Sequence, residues 1–517
     1  MDKIKEEVRL VIAVALAVII IVIFGRFRPP QQPVPQQPKL EPQTISSEEV
    51  SPEQNLIPDL SPEKVGEEKI YEDNRYLIKY NTDGGMIKSI GIKKYIRKNE
   101  TALNIFDGSD LLLTYSLDNL EDAYNPYSSA EKENSIYLQN ITGNILIEKD
   151  VSIPSELHTF TAILKISNRG KNPEHLKNYI LSAGTLNIVH FQTKSRGDRE
   201  FSPPEILVKT NGNIQKVNIA RTKKSAIYEK TEWIALKQRY GLIFLKPSSP
   251  LKGFVTASSD NSVKTGFLYD DLEILPGETK NIELSFYAGP SDYFVAKDEI
   301  KEKEIFGTGF FSAMGRFLFN GLYYIHRAVP NWGWSIIILT LIIKAVFFPL
   351  TLKSLRSMKA LQKLRPYLQD IQKKYKNNPQ QMQKELMNLY KEYKINPFGG
   401  CLPMFVQFPI FIGFFIALRS SVFLRGAPFI FWIKDLSVPD TIVRIAGFPL
   451  NLLPLIMAAT SFLQQKLTPQ EPSQKAMTYM MPVIFLVLFY NFSSGLLLYW
   501  TTMNLAGLIE QYYVHKK

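Results

Sequence analysis

The sequence predicts a polytopic α-helical membrane protein with six transmembrane helices that carries a large antiparallel β domain. Three observations predict it. Apolar runs of roughly bilayer-spanning length stand at the N-terminus and again beyond Phe306, although the whole chain is only 45% apolar. Between them, roughly 220 residues alternate apolar and polar positions with the period of two that strands require. Residues 351–400 hold eleven Lys/Arg against three Asp/Glu directly after an apolar run, the bias of a cytoplasmic loop. The net charge of +12 is therefore a matter of topology. No nucleic-acid-binding motif is present, so sequence-specific nucleic acid is not expected as a partner. Cys401 is the only cysteine, and the β domain must be held by its core without an intrachain disulfide.

Taken in order, residues 1–25 read as an N-terminal signal anchor. The run Leu10–Phe24 is followed by Gly-Arg-Phe-Arg-Pro-Pro rather than by a small-residue cleavage site, which favours an uncleaved anchor over a signal peptide. Residues 26–67 are a linker. From Pro29 to Glu67 there are nine prolines, six glutamines and no aromatic residue, a composition that buries no core. The β domain spans 68–300: Tyr76, Ile78 and Tyr80 alternate, Asn-Thr-Asp-Gly-Gly turns the chain, and Met86, Ile90 and Ile92 resume. The same alternation recurs at Phe160, Ala162, Leu164 and Ile166, and at Ile282, Leu284 and Phe286.

Residues 301–330 place Phe310, Met314, Phe317 and Gly321 near one helical face, as expected of a helix along the membrane interface. A buried helix of the β domain is the alternative. Five spans follow in 331–513, at about 332–350, 402–418, 448–464, 477–492 and 496–513. Residues 351–400 between the first two form a basic helical hairpin. Its seams are Leu361, Leu364, Leu368, Ile371 and Tyr375 on one arm, and Met382, Leu386, Leu389 and Tyr393 on the other. With the anchor counted, both termini lie on the cytoplasmic side.

Lys344 interrupts the first of these five spans. A charge at bilayer depth costs about 2.5–3.5 kcal/mol on insertion scales. Lys344 stands six residues before Leu350, about 9 Å along a helix, so its amine could snorkel to the headgroups. From Trp332 onward the spans hold no acid before Glu510, at the end of the last one, so no permanent intramembrane partner is expected for the lysine. Polar residues recur nearby at helical spacing. Thr340 lies one turn before Lys344, Trp500 and Asn504 share a face, and Gln407 sits in the next span. Singly each reads as a helix-packing hydrogen bonder; together they could line a wet cavity that tolerates an unpaired amine.

The residues also argue against other classes. A coupled transporter normally carries intramembrane carboxylates or repeated halves, and neither is evident, although prolines at 403, 409, 449, 454 and 482 could break helices. The five histidines fall in no metal spacing, and there is no P-loop or nucleophile elbow. Hence no enzyme activity, no cofactor and no metal is expected.

Four separated segments together resemble a known family: Asn396–Phe411, the span Trp332–Thr351, the loop Ala427–Ser437, and Ser494–Gln511. They are similar to the YidC/Oxa/Alb family of bacterial membrane protein insertases, of the type with a large periplasmic domain. The resemblance implies a periplasmic β-supersandwich, a fold shared with sugar mutarotases, and a five-helix insertase core in the cell inner membrane. It implies a hydrated, positively charged groove open to cytoplasm and lipid, with Lys344 where relatives commonly have arginine. Thr340, Gln407, Trp500 and Asn504 fall on groove positions. Lys363, Arg365, Lys373 and Lys374 belong to the hairpin as a receiving surface. Implied partners are nascent membrane proteins, the translating ribosome, the Sec translocon, the signal recognition particle with its receptor, and the lipid bilayer. Two other readings remain open at this point: a polytopic transporter, and a membrane-tethered periplasmic sugar-binding protein.

Overall fold

The computed structural model describes residues 67–116, 123–187, 204–217, 225–257, 262–393, 402–467 and 475–516. The expected anchor, all but the last residue of the linker, and residues 396–401 lie outside the described residues.

Among the described residues, seventeen strands between Glu68 and Pro290 form the β domain, paired antiparallel. Its longest ladders join Glu174–Asn187 to Ser262–Ile274 and Thr159–Asn168 to Thr279–Pro290. Period-two sequence becomes a two-layer sandwich because alternate side chains point to one face. Tyr76, Ile78, Tyr80, Phe160 and Phe286 meet in one core, with Ala162, Leu164 and Ile166 also buried. The Gly-Gly of the first turn is required. Gly84 has φ +74°, and a Cβ there would come 2.6 Å from Leu113 Cδ1 and 2.8 Å from the Ala123 oxygen. That tight turn aims two carbonyls inward. Lys149, 3% exposed, donates to the oxygens of Gly84 (2.8 Å), Gly85 (3.0 Å) and Leu112 (2.9 Å). Burial pushes its pKa down to about 7.

The helical part begins with α1 (Phe310–Ala328), α2 (Trp332–Lys363), α3 (Arg365–Lys374) and α4 (Pro379–Glu392). It continues with α5 (Leu402–Arg419), α6 (Leu452–Leu467), α7 (Lys475–Phe489) and α8 (Ser494–Lys516). The face of α1 carrying Gly315, Leu318, Phe319 and Leu322 is buried, and Gly315 lies against Gly413 of α5. The opposite face exposes Phe310, Phe317 and Tyr324. Among the described residues, α2 alone is long and apolar enough to cross a bilayer; Gln407–Arg419 and Tyr479–Phe489 are shorter apolar helices.

Two helix boundaries differ from the expected ones. α2 does not stop near Leu350 but runs 32 residues to Lys363, about 48 Å, because nothing after Pro349 terminates it. The span expected at 448–464 starts as a strand. Phe448–Asn451 pairs with Thr441–Ile445, and α6 begins only at Leu452, since Ala446 and Gly447 turn the chain with positive φ and Pro449 follows. The hairpin of α3 and α4 closes on Leu364, Leu368 and Leu389, with Ile371, Leu386 and Tyr390 packed beside them.

The β domain docks on the loop after α5. Arg97 Nε bonds Asp435 at 2.7 Å, and Arg425 bonds Glu100 at 2.6 Å. Arg239 donates to the carbonyls of Arg419 (3.0 Å) and Ser437 (3.1 Å), and Val422 joins the domain's own core. Asp292, buried near this junction, accepts the Phe294 N–H at 2.9 Å, and burial pushes its carboxyl up to about 6. The β domain and the 420–451 loop therefore share one end of the helices. The α3–α4 hairpin hangs from the far end of α2.

Candidate functional site

A cavity of about 610 Å³ lies between α2, α5, α6, α7 and α8, in the half of the bundle away from the β domain. The contribution of α8 is a single stripe: Trp500, Met503, Asn504, Gly507, Glu510 and Gln511 recur at steps of three and four, so they share one helix face. From α2 come Lys344, Phe347, Thr351, Ser354 and Met358, and from α5 Gln407 and Phe411.

Lys344 is not unpaired. Its ammonium donates to Glu510 Oε2 at 2.8 Å, with the two side chains only 14% and 9% exposed. The expectation of no permanent partner is corrected by helix geometry. α2 and α8 both run toward the end that carries the hairpin, so a lysine six residues above Leu350 and a glutamate near the end of α8 reach one level. Gly507, one turn before Glu510 on the same face, leaves room for Gln464 of α6: a Cβ there would stand 2.3 Å from Gln464 Nε2, while Lys344 Nζ, at 3.6 Å, would be at ordinary contact distance.

The other expected groove residues divide. Trp500 lines the cavity and packs against Phe411, Phe485 and Phe489, at ring-centroid distances of 4.8, 5.4 and 5.5 Å. Asn504 also lines it, but its amide is held by Ser461 Oγ at 2.7 Å and Thr460 Oγ1 at 3.3 Å, tying α8 to α6. Gln407 is half-buried on the wall. Thr340 is not on the wall. It is fully buried, and its hydroxyl donates to the Ile336 carbonyl of its own helix at 2.6 Å, one turn too deep in the packed part of the bundle.

The expected positive charge is also displaced. Lys344 and Glu510 are the charged lining residues, so the wall is formally neutral. The excess cations stand lower down: Lys353 and Arg356 are exposed on α2 beyond Leu350, as are Lys363, Lys373 and Lys374, while Arg365 opens α3. The sequence reading named Glu510 only as an acid at the end of the last span, outside the site, and Thr351, Ser354 and Met358 escaped it. Continuing the Trp500–Asn504 spacing for two more turns would have reached Glu510.

In the β domain, His158 and Glu299 come together, the residue types that a sugar-processing reading asks for. They are spent on packing. The His158 ring bonds Tyr76 at 3.0 Å, and Glu299 accepts the His158 N–H and the Thr159 hydroxyl, both at 2.7 Å. Burial holds the imidazole pKa down to about 4. Among the described residues, no group of three or more His, Cys, Asp or Glu is placed to hold a metal.

Comparison with known proteins agrees with this division. Residues 72–319 match the family model described as the YidC periplasmic domain, and residues 324–517 the one described as the 60Kd inner membrane protein. A membrane protein insertase YidC of Endomicrobium trichonymphae is 39% identical over 55% of this chain and 56% of its own. The one of Pelobacter propionicus is 30% identical over 99% of both chains. The chain belongs to the YidC family of membrane protein insertases. A crystal structure of an active YidC insertase with its first transmembrane domain resolved is 18% identical, covering 88% of this chain and 94% of that one, at a TM-score of 0.39. As a YidC-family chain it is an inner-membrane protein with a periplasmic β-sandwich domain and a helical C-terminal region.

Proposed function

We propose that this insertase draws the polar tails of nascent membrane proteins into the cavity, with Lys344 as the transient partner of their acidic residues. The observation that carries the reading is the Lys344–Glu510 pair on the wall of a cavity of about 610 Å³. A buried ion pair recovers little more than its own desolvation cost. Exchanging Glu510 for a substrate carboxylate therefore leaves the balance nearly unchanged, and Glu510, near the end of α8, turns to water. Glu510 thus holds the lysine in place without silencing it. A hydrated groove in the inner leaflet shortens the hydrocarbon barrier that a tail must cross. The step that completes insertion needs no nucleotide, because passing an apolar helix of about 20 residues into lipid is itself favourable.

The wider assignment follows the same reading. Residues 1–25 anchor the chain, 26–67 tether the domain at 68–300, α1 lies along the interface, and five spans within 331–513 form the core. With six spans, both termini are cytoplasmic and the basic hairpin at 351–400 is the receiving surface. The translating ribosome, the Sec translocon and the signal recognition particle with its receptor are the partners this arrangement would meet. Thr340 contributes by packing α2 beneath the site rather than by contact.

The test uses a photo-crosslinker at Trp500, liposomes containing this protein alone, and ribosomes stalled on a short single-span protein. An adduct together with protease protection of the far tail supports the reading. Protection without an adduct moves the substrate path out of the cavity. Neither signal, with both restored on adding the Sec translocon, makes the protein a dependent partner.

A further inference from the structure

The loop between α5 and α6 carries a two-stranded hairpin, Thr441–Ile445 against Phe448–Asn451. It turns through Ala446 and Gly447, with φ of +50° and +81°, the two left-handed residues that a type I′ turn needs. Ile445 faces Phe448 across the ribbon and Val443 faces Leu450. All five residues of the first strand are exposed, and Ile445 and Phe448 each reach 62%. An isolated two-stranded ribbon is marginal in water. This one presents apolar side chains on both faces, yet its base is built to be rigid. Asp440 accepts Trp432 Nε1 at 2.8 Å and the Leu453 N–H at 2.6 Å. Thr441 donates to Asn451 Oδ1 at 2.7 Å, and Asn451 Nδ2 to the Tyr490 carbonyl at 2.8 Å.

A rigid apolar ribbon has a standing partner, and its surroundings say which. α6 begins at the residue after the ribbon, with no linker, and exposes Leu455, Phe462 and Leu463. The ribbon's apolar surface is thus continuous with that of a helix read here as spanning the bilayer. Phe448 packs on Tyr490 with ring centroids 5.4 Å apart, and Phe431 is exposed in the same loop, so aromatic groups gather at that level. At the base lies a cavity of about 280 Å³ lined by Arg97, Arg444, Asn451 and Asn491 among others. Arg97 is held by Asp435, whereas Arg444 makes no hydrogen bond or ion pair among the described residues. Apolar side chains beside an uncommitted guanidinium complement a phospholipid: acyl chain on one side, phosphate on the other.

We propose that the 441–451 hairpin is a lipid-docking element of the periplasmic face. Ile445 and Phe448 sit at the headgroup–acyl boundary of the outer leaflet, and Arg444 takes a lipid phosphate. The element fixes the height of the helical core, and of the β domain docked through Arg97, relative to the bilayer. The proposal rests on the reading that α6 crosses the membrane, and the experiment separates the two.

Nitroxide labels go singly at Ile445→Cys, at Leu455→Cys on α6 and at Leu157→Cys on the β domain, each in the full chain with Cys401→Ser. The protein is reconstituted in vesicles of phosphatidylethanolamine and phosphatidylglycerol, and collision with oxygen is compared with collision with a water-soluble nickel chelate. Expected are several-fold lower nickel access and higher oxygen access at 445 and 455 than at 157. Nickel access at 445 equal to that at 157, with 455 still shielded, overturns the lipid assignment alone. Nickel access at both 445 and 455 overturns the spanning reading beneath it. Shielding at 445 that appears only on adding unlabelled protein assigns the ribbon to a protein partner and overturns the proposal. Arg444→Glu should make the 445 label several-fold more nickel-accessible while Arg444→Lys should not; no change in Arg444→Glu removes the phosphate contact.

Discussion

Two lysines, one in each half of the molecule, meet burial in opposite ways. Lys149 in the β domain is held by three backbone carbonyls from turns that cannot move without unfolding. Lys344 in the helical core is held by one side chain, Glu510, at the wall of a cavity. Fixed acceptors make a buried amine part of the architecture. On the function proposed for Lys344, an acceptor on a flexible side chain leaves the amine available to an arriving carboxylate. The difference teaches that burial alone does not mark a functional charge; what matters is whether its partner can be exchanged.

The largest way to break the comparison is Lys149→Met. It leaves three inward carbonyls without their donor and should destabilise the β domain by about 3 kcal/mol or more, read as a lowered denaturant midpoint. Lys149 also carries a pH signature. Its folded pKa, about 7 against an ordinary 10.5, means that the folded state binds fewer protons between those values, so its contribution to stability should rise with pH across that window. Lys149→Met should lack that rise.

Next comes Lys344→Glu, which should reduce insertion of acidic-tailed substrates by about tenfold or more while Lys344→Arg retains it, measured by tail protection in liposomes. Equal activity of the two variants would sink the electrostatic account. Glu510→Gln sharpens the point in the other direction: acidic tails should insert a few-fold faster and uncharged tails no faster. If both respond alike, the pair matters only for packing.

Asp292 at the junction tests a buried acid. Its carboxyl stays protonated up to about pH 6 when folded but only to its ordinary 3.8 when unfolded. Its contribution to stability is therefore greatest below the lower value, falls as pH rises between the two, and is flat above. Asp292→Asn should remove that slope and raise stability at pH 7 by up to roughly 3 kcal/mol, followed by thermal unfolding at pH 4 and 7. The smallest effect is expected from Asn504→Leu, which breaks the tie to Ser461 and should cost about 1 kcal/mol of stability while leaving the preference for acidic tails intact. A lost preference would give Asn504 a contact role.

Much of the fold was legible because it rests on period. Phe160, Ala162, Leu164 and Ile166 alternate in sequence and are buried in the sandwich, and Leu364, Leu368, Leu386 and Leu389 step by three and four and close the basic hairpin. The site was legible in part. Lys344, Gln407, Trp500 and Asn504, expected on a groove chiefly through the family resemblance with the Trp500–Asn504 spacing beside it, line the cavity, whereas Thr340, expected with them, does not. The hairpin at 441–451 was not seen, because Phe-Pro-Leu-Asn-Leu-Leu reads as the start of an apolar span until the Ala446–Gly447 turn pairs it backward.

By itself, then, the sequence determined the division into a β domain and a helical core, the basic loop, and an amine set among apolar residues. Each of these is a local property of composition or period. Only the tertiary structure decided that Lys344 meets Glu510, 166 residues away, and that Thr340 turns its hydroxyl to its own helix. It likewise decided that the β domain is latched to the core through Arg97 and Arg425. The reason is physical: which side chains meet across helices depends on the helices' relative height and rotation, which no local period in the sequence records.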